Sequence, residues 1–171
     1  EPLEKLLQCI DAMNIDLKTF REETMKKVQK ARLADVLAAI RLVHERGCHI
    51  ELTTLVVTGI NDDMAEMRDI IEFIASIDRA IPWHISRYYP NYRYDRDATE
   101  VSFMMKVHEE AEKKLDFVYC GNVSSHERGH DTKCPSCGAT AVRRAGYHIK
   151  IENLAGGSCS KCGHGLGIKQ K

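Results

Sequence analysis

Three times between residues 12 and 120 a short β-branched or apolar run gives way to a longer segment with helical spacing. This alternation constrains the chain more than any other feature. "AMNIDLK" (residues 12–18) reads as a strand. A helical turn is expected from Thr19, with Glu22 three residues on as its capping-box partner. In residues 31–46 the apolar positions Leu33, Val36, Leu37, Ile40 and Val43 lie on one helical face. Gly47 stands where a helix ends in the left-handed conformation. "HIELTTLVV" (49–57) is the second strand. A turn follows, with Asn61 or Asp62 expected to cap a helix whose apolar face is Met64, Met67, Ile70, Ile71 and Ile74. "IPWHISRYY" is the third strand, with Trp83 in the core, residues 99–115 the third amphipathic helix, and "DFVYC" a last short strand.

Strand–helix repetition of this kind builds parallel βα units. Three units fit half of a barrel or part of an open sheet better than a finished layer. The first strand is then left with an unpaired edge, which is a liability. The chain starts at Glu1 part-way into a helical pattern, so a piece of a longer protein is expected.

Beyond residue 121 the rhythm stops. "GNVSSHERGHDTK" reads as a linker (122–133), and residues 134–171 read as a second, small unit. In it "KCPSCGAT" and "SCSKCGHG" flank two alternating runs around a glycine, a hairpin pattern. Each C-x-x-C-G can form a tight knuckle, its glycine allowing a positive φ. Two knuckles bring Cys134, Cys137, Cys159 and Cys162 to one tetrahedral metal. The spacing between the pairs is slightly longer than a usual ribbon, and a hairpin fills it. Four sulfurs leave no open coordination position, so a structural zinc site is expected and no catalytic residue is assigned there. A rubredoxin-like iron site is the runner-up, and a thioredoxin-like redox pair is weaker. His126, His130, His148 and His164 read as solvated. The other cysteines, Cys9, Cys48 and Cys120, lie in apolar segments and are expected to be buried.

Apolar content of 43%, charged content of 29% and a formal net charge of zero describe an ordinary globular chain. They give no reason to expect nucleic acid or an anionic membrane as partner. No span or signal pattern is present, and unpaired thiols fit a cytoplasmic setting.

Sites in βα folds form at the carboxyl ends of strands. There Asp16 and Lys18 share one strand face and could hold a zwitterion, or could be only a rim salt bridge. Glu51 and Thr53 share a face of the next strand, where they could line a cavity. His84, Arg87, Tyr88, Tyr89, Tyr92, Arg93 and Tyr94 crowd the third, where they could bind an anionic or planar group or simply cover the sheet end. His44, His49 and His108 read as packing or solvated positions.

"DAMNIDLK", "GCHIELTTLVVTGINDD", "FIASIDRAIPWHISRYYPNYRYD" and "CGNVSSHERGHDTKCPSCGA", in this order, resemble radical SAM enzymes of the AmmeMemoRadiSam group. These are similar to the pyruvate formate-lyase-activating enzymes. The resemblance implies an α/β fold, the C-terminal half of a (βα)6 partial barrel followed by a small zinc-ribbon-like domain. It implies a four-iron–four-sulfur (4Fe-4S) cluster that reductively cleaves S-adenosylmethionine to a 5′-deoxyadenosyl radical, and in the activators a protein substrate. It places Asp16 and Lys18 against S-adenosylmethionine, and Thr53, Arg87 and Tyr89 around the nucleotide or substrate. At Thr53 the activators usually carry an arginine. No three of the cysteines have the C-x-x-x-C-x-x-C spacing that holds the cluster, and the glycine-rich segment after the second strand is absent too. The chain alone is therefore expected to be inactive, with the missing N-terminal half as its first partner. Two other readings compete. One is a zinc-ribbon interaction module on an α/β scaffold, and the other a non-redox barrel enzyme using Asp16 and Lys18 as acid and base.

Overall fold

A computed structural model describes residues 2–124 and 126–169, so the outer limits of the two expected units, residues 1, 170 and 171, lie outside the described residues. After a short helix α1 (Pro2–Leu6), the βα alternation appears as β1 (Ala12–Asp16), α2 (Glu22–Thr24), α3 (Leu33–Glu45), β2 (His49–Val56), α4 (Met64–Ile77), β3 (Trp83–Arg87), α5 (Val101–Ala111) and β4 (Val118–Gly121). A π-helical turn, Met25–Gln29, continues α2. The four strands form one parallel sheet in the order β1-β2-β3-β4. No helix among the described residues is long and apolar enough to cross a membrane.

The sheet has two unlike faces because side chains alternate along each strand. Ile50, Leu52, Val56, Trp83, Ile85 and Val118 point to one face. They share a buried cluster with Ile40 and Val43 of α3, Met67, Ile70, Ile71 and Ile74 of α4, and Met104, Val107 and Ala111 of α5. The other face carries Asn14, Asp16, Glu51, Thr53, His84 and Tyr119, and no helix among the described residues covers it; this inner face positions the site.

Three local expectations are corrected. Thr19 and Glu22 form no capping box. The Thr19 hydroxyl donates to Glu66, whose carboxylate also accepts from Phe20 N at 2.7 Å, while Glu22 accepts from Leu33 N at 2.9 Å. Neither Asn61 nor Asp62 caps α4. Asp63 does, accepting from Ala65 N at 3.2 Å and Glu66 N at 3.1 Å. Asn61 is instead buried, accepting from Val57 N and donating to the Lys18 and Leu55 carbonyls at 2.6 and 2.9 Å. That amide ties together the carboxyl ends of β1 and β2. Cys9 is exposed, since it lies in the turn after α1, outside the cover of the helical face; Cys48 and Cys120 are buried.

Within 122–133, read as a linker, two points are tied to the units on either side. Gly129 O accepts from Cys120 N at 2.8 Å, and β5 (Thr132–Lys133) already belongs to the ribbon. There β5, β6 (Thr140–Ala145) and β7 (His148–Ile151) form an antiparallel sheet, with β6 and β7 as the expected hairpin. A two-stranded ladder, β8 (Leu154–Ala155) with β9 (Ser158–Cys159), completes it.

Candidate functional site

The four paired cysteines come together as one group, with their sulfurs all within 4.8 Å of one another. Cys134 and Cys162 are 3.5 Å apart, and Cys137 and Cys159 are 3.7 Å apart. Sulfurs about a tetrahedral metal at ~2.3 Å stand roughly 3.8 Å from each other, so the donor set fits a metal without rearrangement. The two knuckles repeat one another bond for bond. Gly138 N donates to Cys134 O and Gly163 N to Cys159 O, each at 2.8 Å, while Cys134 N and Cys159 N return to the Ala139 and His164 carbonyls. Both glycines have positive φ, +70° and +78°.

The charges point the same way. The Lys161 and Cys162 N–H groups draw the Cys159 thiol down to about 7. At Cys137 the Ala139 N–H favours the thiolate, but the neighbouring sulfurs, Cys162 first, outweigh it and push the thiol up to about 12. Four such sulfurs ionise together only around a cation. No histidine joins them: His164 lends the knuckle its carbonyl.

On the inner face the parallel register aligns Asp16 with Thr53, Thr53 with His84 and His84 with Tyr119. One polar row thus crosses all four strands. At its β1 end Asp16 and Lys18 form an ion pair at 2.8 Å, and Thr53 donates to Asn14 at 3.0 Å. Arg87 does not join this row. Its register partner is Val56, on the helix-bearing face. Its guanidinium donates to the Thr99 carbonyl at 2.6 Å and to the Tyr89 hydroxyl at 2.8 Å, and lies 4.7 Å over the Tyr89 ring. Tyr89 then donates to Asn122 O at 3.1 Å. The five residues assigned to cofactor binding thus fall into two groups: Asp16, Lys18 and Thr53 on β1 and β2, and Arg87 with Tyr89 against the end of β4.

Sequence reasoning missed the far end of the row. His84 stacks on Tyr119 with centroids 5.3 Å apart, and the Tyr119 hydroxyl meets Thr132 Oγ1 at 2.9 Å. Arg144 of the ribbon donates to that same Thr132 oxygen at 2.7 Å and lies over the Tyr119 ring. The signal available was the alternation of "DFVYC", which sets Tyr119 opposite to Val118 and Cys120. The ribbon therefore meets the inner face at the amino ends of the strands, away from Lys18 and Tyr89.

Residues 1–74 match the family model described as the Radical SAM superfamily. Over 173 aligned residues the chain is 38% identical to an uncharacterized protein of Methanocaldococcus jannaschii, an alignment that takes in 98% of this chain and 51% of the relative. The chain thus spans about half the length of that relative. A solved domain of a pyruvate-formate lyase-activating enzyme from Bacteroides vulgatus superposes with TM-score 0.61 at 16% identity, over 70% of this chain and 73% of that one. A radical SAM methyltransferase from Sphaerobacter thermophilus superposes with TM-score 0.57 at 12% identity, over 69% of this chain and 36% of that one. At these identities the likeness is one of fold. The resemblance to radical SAM enzymes, read from the sequence, is matched at the level of the superfamily over residues 1–74 and of the fold.

Proposed function

We propose that this radical SAM chain is the C-terminal half of a (βα)6 partial barrel, residues 1–121, joined through 122–133 to a zinc-binding ribbon, 134–171. The whole protein would act as an S-adenosylmethionine-dependent radical enzyme of the activating-enzyme kind, of the AmmeMemoRadiSam group. The observation that carries this reading is the superfamily match over residues 1–74, which contain the first two strands and the Asp16–Lys18–Thr53 group. When bound, the 4Fe-4S cluster and S-adenosylmethionine supply reductive cleavage of the sulfonium bond. The cluster's ligands would belong to the N-terminal half, since no cysteines here have its spacing.

The chain's own contribution is binding. Asp16 offers a carboxylate to the ammonium of the methionyl end, and Lys18 an ammonium to its carboxylate. Their mutual ion pair is partly exposed, so exchanging it for the ligand costs little. Thr53 holds a hydroxyl beside them in the shared register. Arg87 and Tyr89 would act at a distance from this group, along a cleft that they line with Asn122 and Glu127, as a surface for the nucleotide or the substrate. The Cys134, Cys137, Cys159 and Cys162 site holds the ribbon.

The test compares this chain with the full-length protein, each reconstituted with iron and sulfide, reduced, and given S-adenosylmethionine. The full-length protein is expected to release methionine and 5′-deoxyadenosine, and this chain neither. Asp16→Asn and Lys18→Met in the full-length protein should weaken cofactor binding. Turnover by the isolated chain, or full strength in both variants, refutes the assignment. An interaction-module reading draws support from one feature: Ile149 and Ile151 on edge strand β7, with Tyr147 in the turn before it, are exposed. That reading predicts no turnover from either form.

A further inference from the structure

A large cleft of the molecule is not at the carboxyl ends of the strands. It lies between their amino ends and the ribbon, encloses about 970 Å³, and five of the eight histidines line it: His44, His49, His84, His130 and His164. At the amino end of a barrel, polar side chains ordinarily serve stability. Here three of them converge on one another. Glu51 Oε1 stands 3.3 Å from His49 Nε2, and Glu51 Oε2 stands 2.8 Å from His84 Nε2. His49 and Glu51 alternate on β2 and so share the inner face. His84 reaches Glu51 diagonally from β3, because its own register partner is Thr53.

We propose that His49, Glu51 and His84 form a second metal site, for a first-row divalent cation such as Fe²⁺, Co²⁺, Ni²⁺ or Zn²⁺. Two imidazoles and one carboxylate suit that group of metals better than Mg²⁺ or Ca²⁺, which prefer all-oxygen sets. Ligands around a metal at ~2.1 Å stand roughly 3.0–3.4 Å apart; His49 already approaches the carboxylate at 3.3 Å, while His84, at 2.8 Å, would move out slightly to admit the ion. The two imidazole nitrogens meet opposite oxygens of Glu51. Among the described residues only the cysteine group has every ligand atom within 4.8 Å. Binding therefore requires the carboxylate to turn and His49 to close in. The His49 side chain is 54% exposed and free to do so, while His84 is held flat against Tyr119. The cation takes the place of the protons now shared between the imidazoles and Glu51. Burial would raise the Glu51 carboxyl, but hydrogen bonds from both imidazoles outweigh it and hold it below its ordinary range, so the ligand is ionised. Three protein ligands leave coordination positions open toward the cleft, unlike the closed sulfur site. This inference requires neither an iron–sulfur cluster nor S-adenosylmethionine.

The test is Co²⁺ titration of the whole chain with metal counting after dialysis. The expected result is two equivalents. One brings intense thiolate-to-metal absorption, and the other only weak bands of a nitrogen–oxygen site. Glu51→Gln and His84→Gln should each keep the thiolate bands and weaken the second equivalent by more than about a hundredfold, beyond the effect of an outer-shell partner. Cys137→Ser should do the reverse. If His84→Gln loses its native circular dichroism, the near-isosteric Glu51→Gln decides alone. A wild-type chain that takes up one cobalt only, or a second equivalent that Glu51→Gln leaves unchanged, overturns the proposal.

Discussion

The Trp83 indole donates to the Thr54 hydroxyl at 2.9 Å, and that hydroxyl donates on to the Leu17 carbonyl at 2.7 Å. All three residues are buried, and the relay links the β1 end, β2 and β3 inside the apolar layer. Threonine at this position is thus more than a strand former. Its oxygen supplies the acceptor that a buried indole needs and the donor that a strand-end carbonyl needs. Thr54→Val keeps the shape and orphans both groups, which should cost about 1–3 kcal/mol. Urea unfolding measures it. A variant as stable as wild type would mean that water reaches the indole.

The ribbon should depend on its metal far more than the barrel does. Its buried apolar residues are few, Ala141, Val142, Leu154 and Leu166 beside two of the cysteines. Structural zinc contributes on the order of 10–16 kcal/mol to the folding of such small units. Chelation should therefore remove hydrogen-exchange protection from β5, β6 and β7 and leave β1 to β4 protected. The exception expected is the edge at Tyr119, which loses Thr132 and Arg144. Protection of β6 and β7 that survives complete metal removal contradicts the structural role.

What could be read from the sequence was whatever depends on neighbours along the chain. The cysteine spacing, the helical faces and the β6–β7 hairpin are local patterns, and each is in its place. The helix cap illustrates the limit. Asn61, Asp62 and Asp63 are equally good caps in isolation, and Asn61 is unavailable because the carbonyls of Lys18 and Leu55 claim its amide. The inner-face row was illegible for a stronger reason. It exists only through the register of four strands separated by helices, and a one-residue slip would send His84 or Tyr119 to the opposite face. Arg144 comes from a different unit altogether. Its approach to Tyr119 follows from how the ribbon docks, which no periodicity encodes.

Gly129 sits in a segment without apolar rhythm, yet nothing larger fits there. Its φ is +89°, and a Cβ would lie 2.8 Å from His108 Cδ2 and 2.9 Å from Cys120 Sγ, both in buried side chains. Gly129→Ala therefore meets strain and overlap together, and about 1–3 kcal/mol should be lost. The thermal midpoint reads the effect. Gly146→Ala is the control. That glycine also has positive φ, +58°, but a Cβ there meets nothing, so it should cost less. Equal losses would assign the effect to backbone strain alone.

His108 links stability to pH. It is 3% exposed on α5, with Glu112 Oε2 3.4 Å from Nδ1. Burial disfavours the imidazolium and holds its pKa below the ordinary 6.5. Glu112 and Glu109 oppose this, Lys133 adds to it, and the Val118 backbone favours the charged form. The sign follows from linkage. Above about pH 6.5 the ring is neutral in both states and contributes no pH dependence. Below it the unfolded chain binds a proton that the folded chain refuses, so stability falls as pH falls. The slope from this one group can reach about 1.4 kcal/mol per pH unit until the folded pKa is reached. His108→Gln should flatten the curve between pH 7 and 5, whatever it does to stability at pH 8. Loss of the ribbon metal at low pH affects both proteins alike and cancels in the comparison. Parallel curves for the two proteins would show that His108 takes up its proton in the folded state as readily as in the unfolded one.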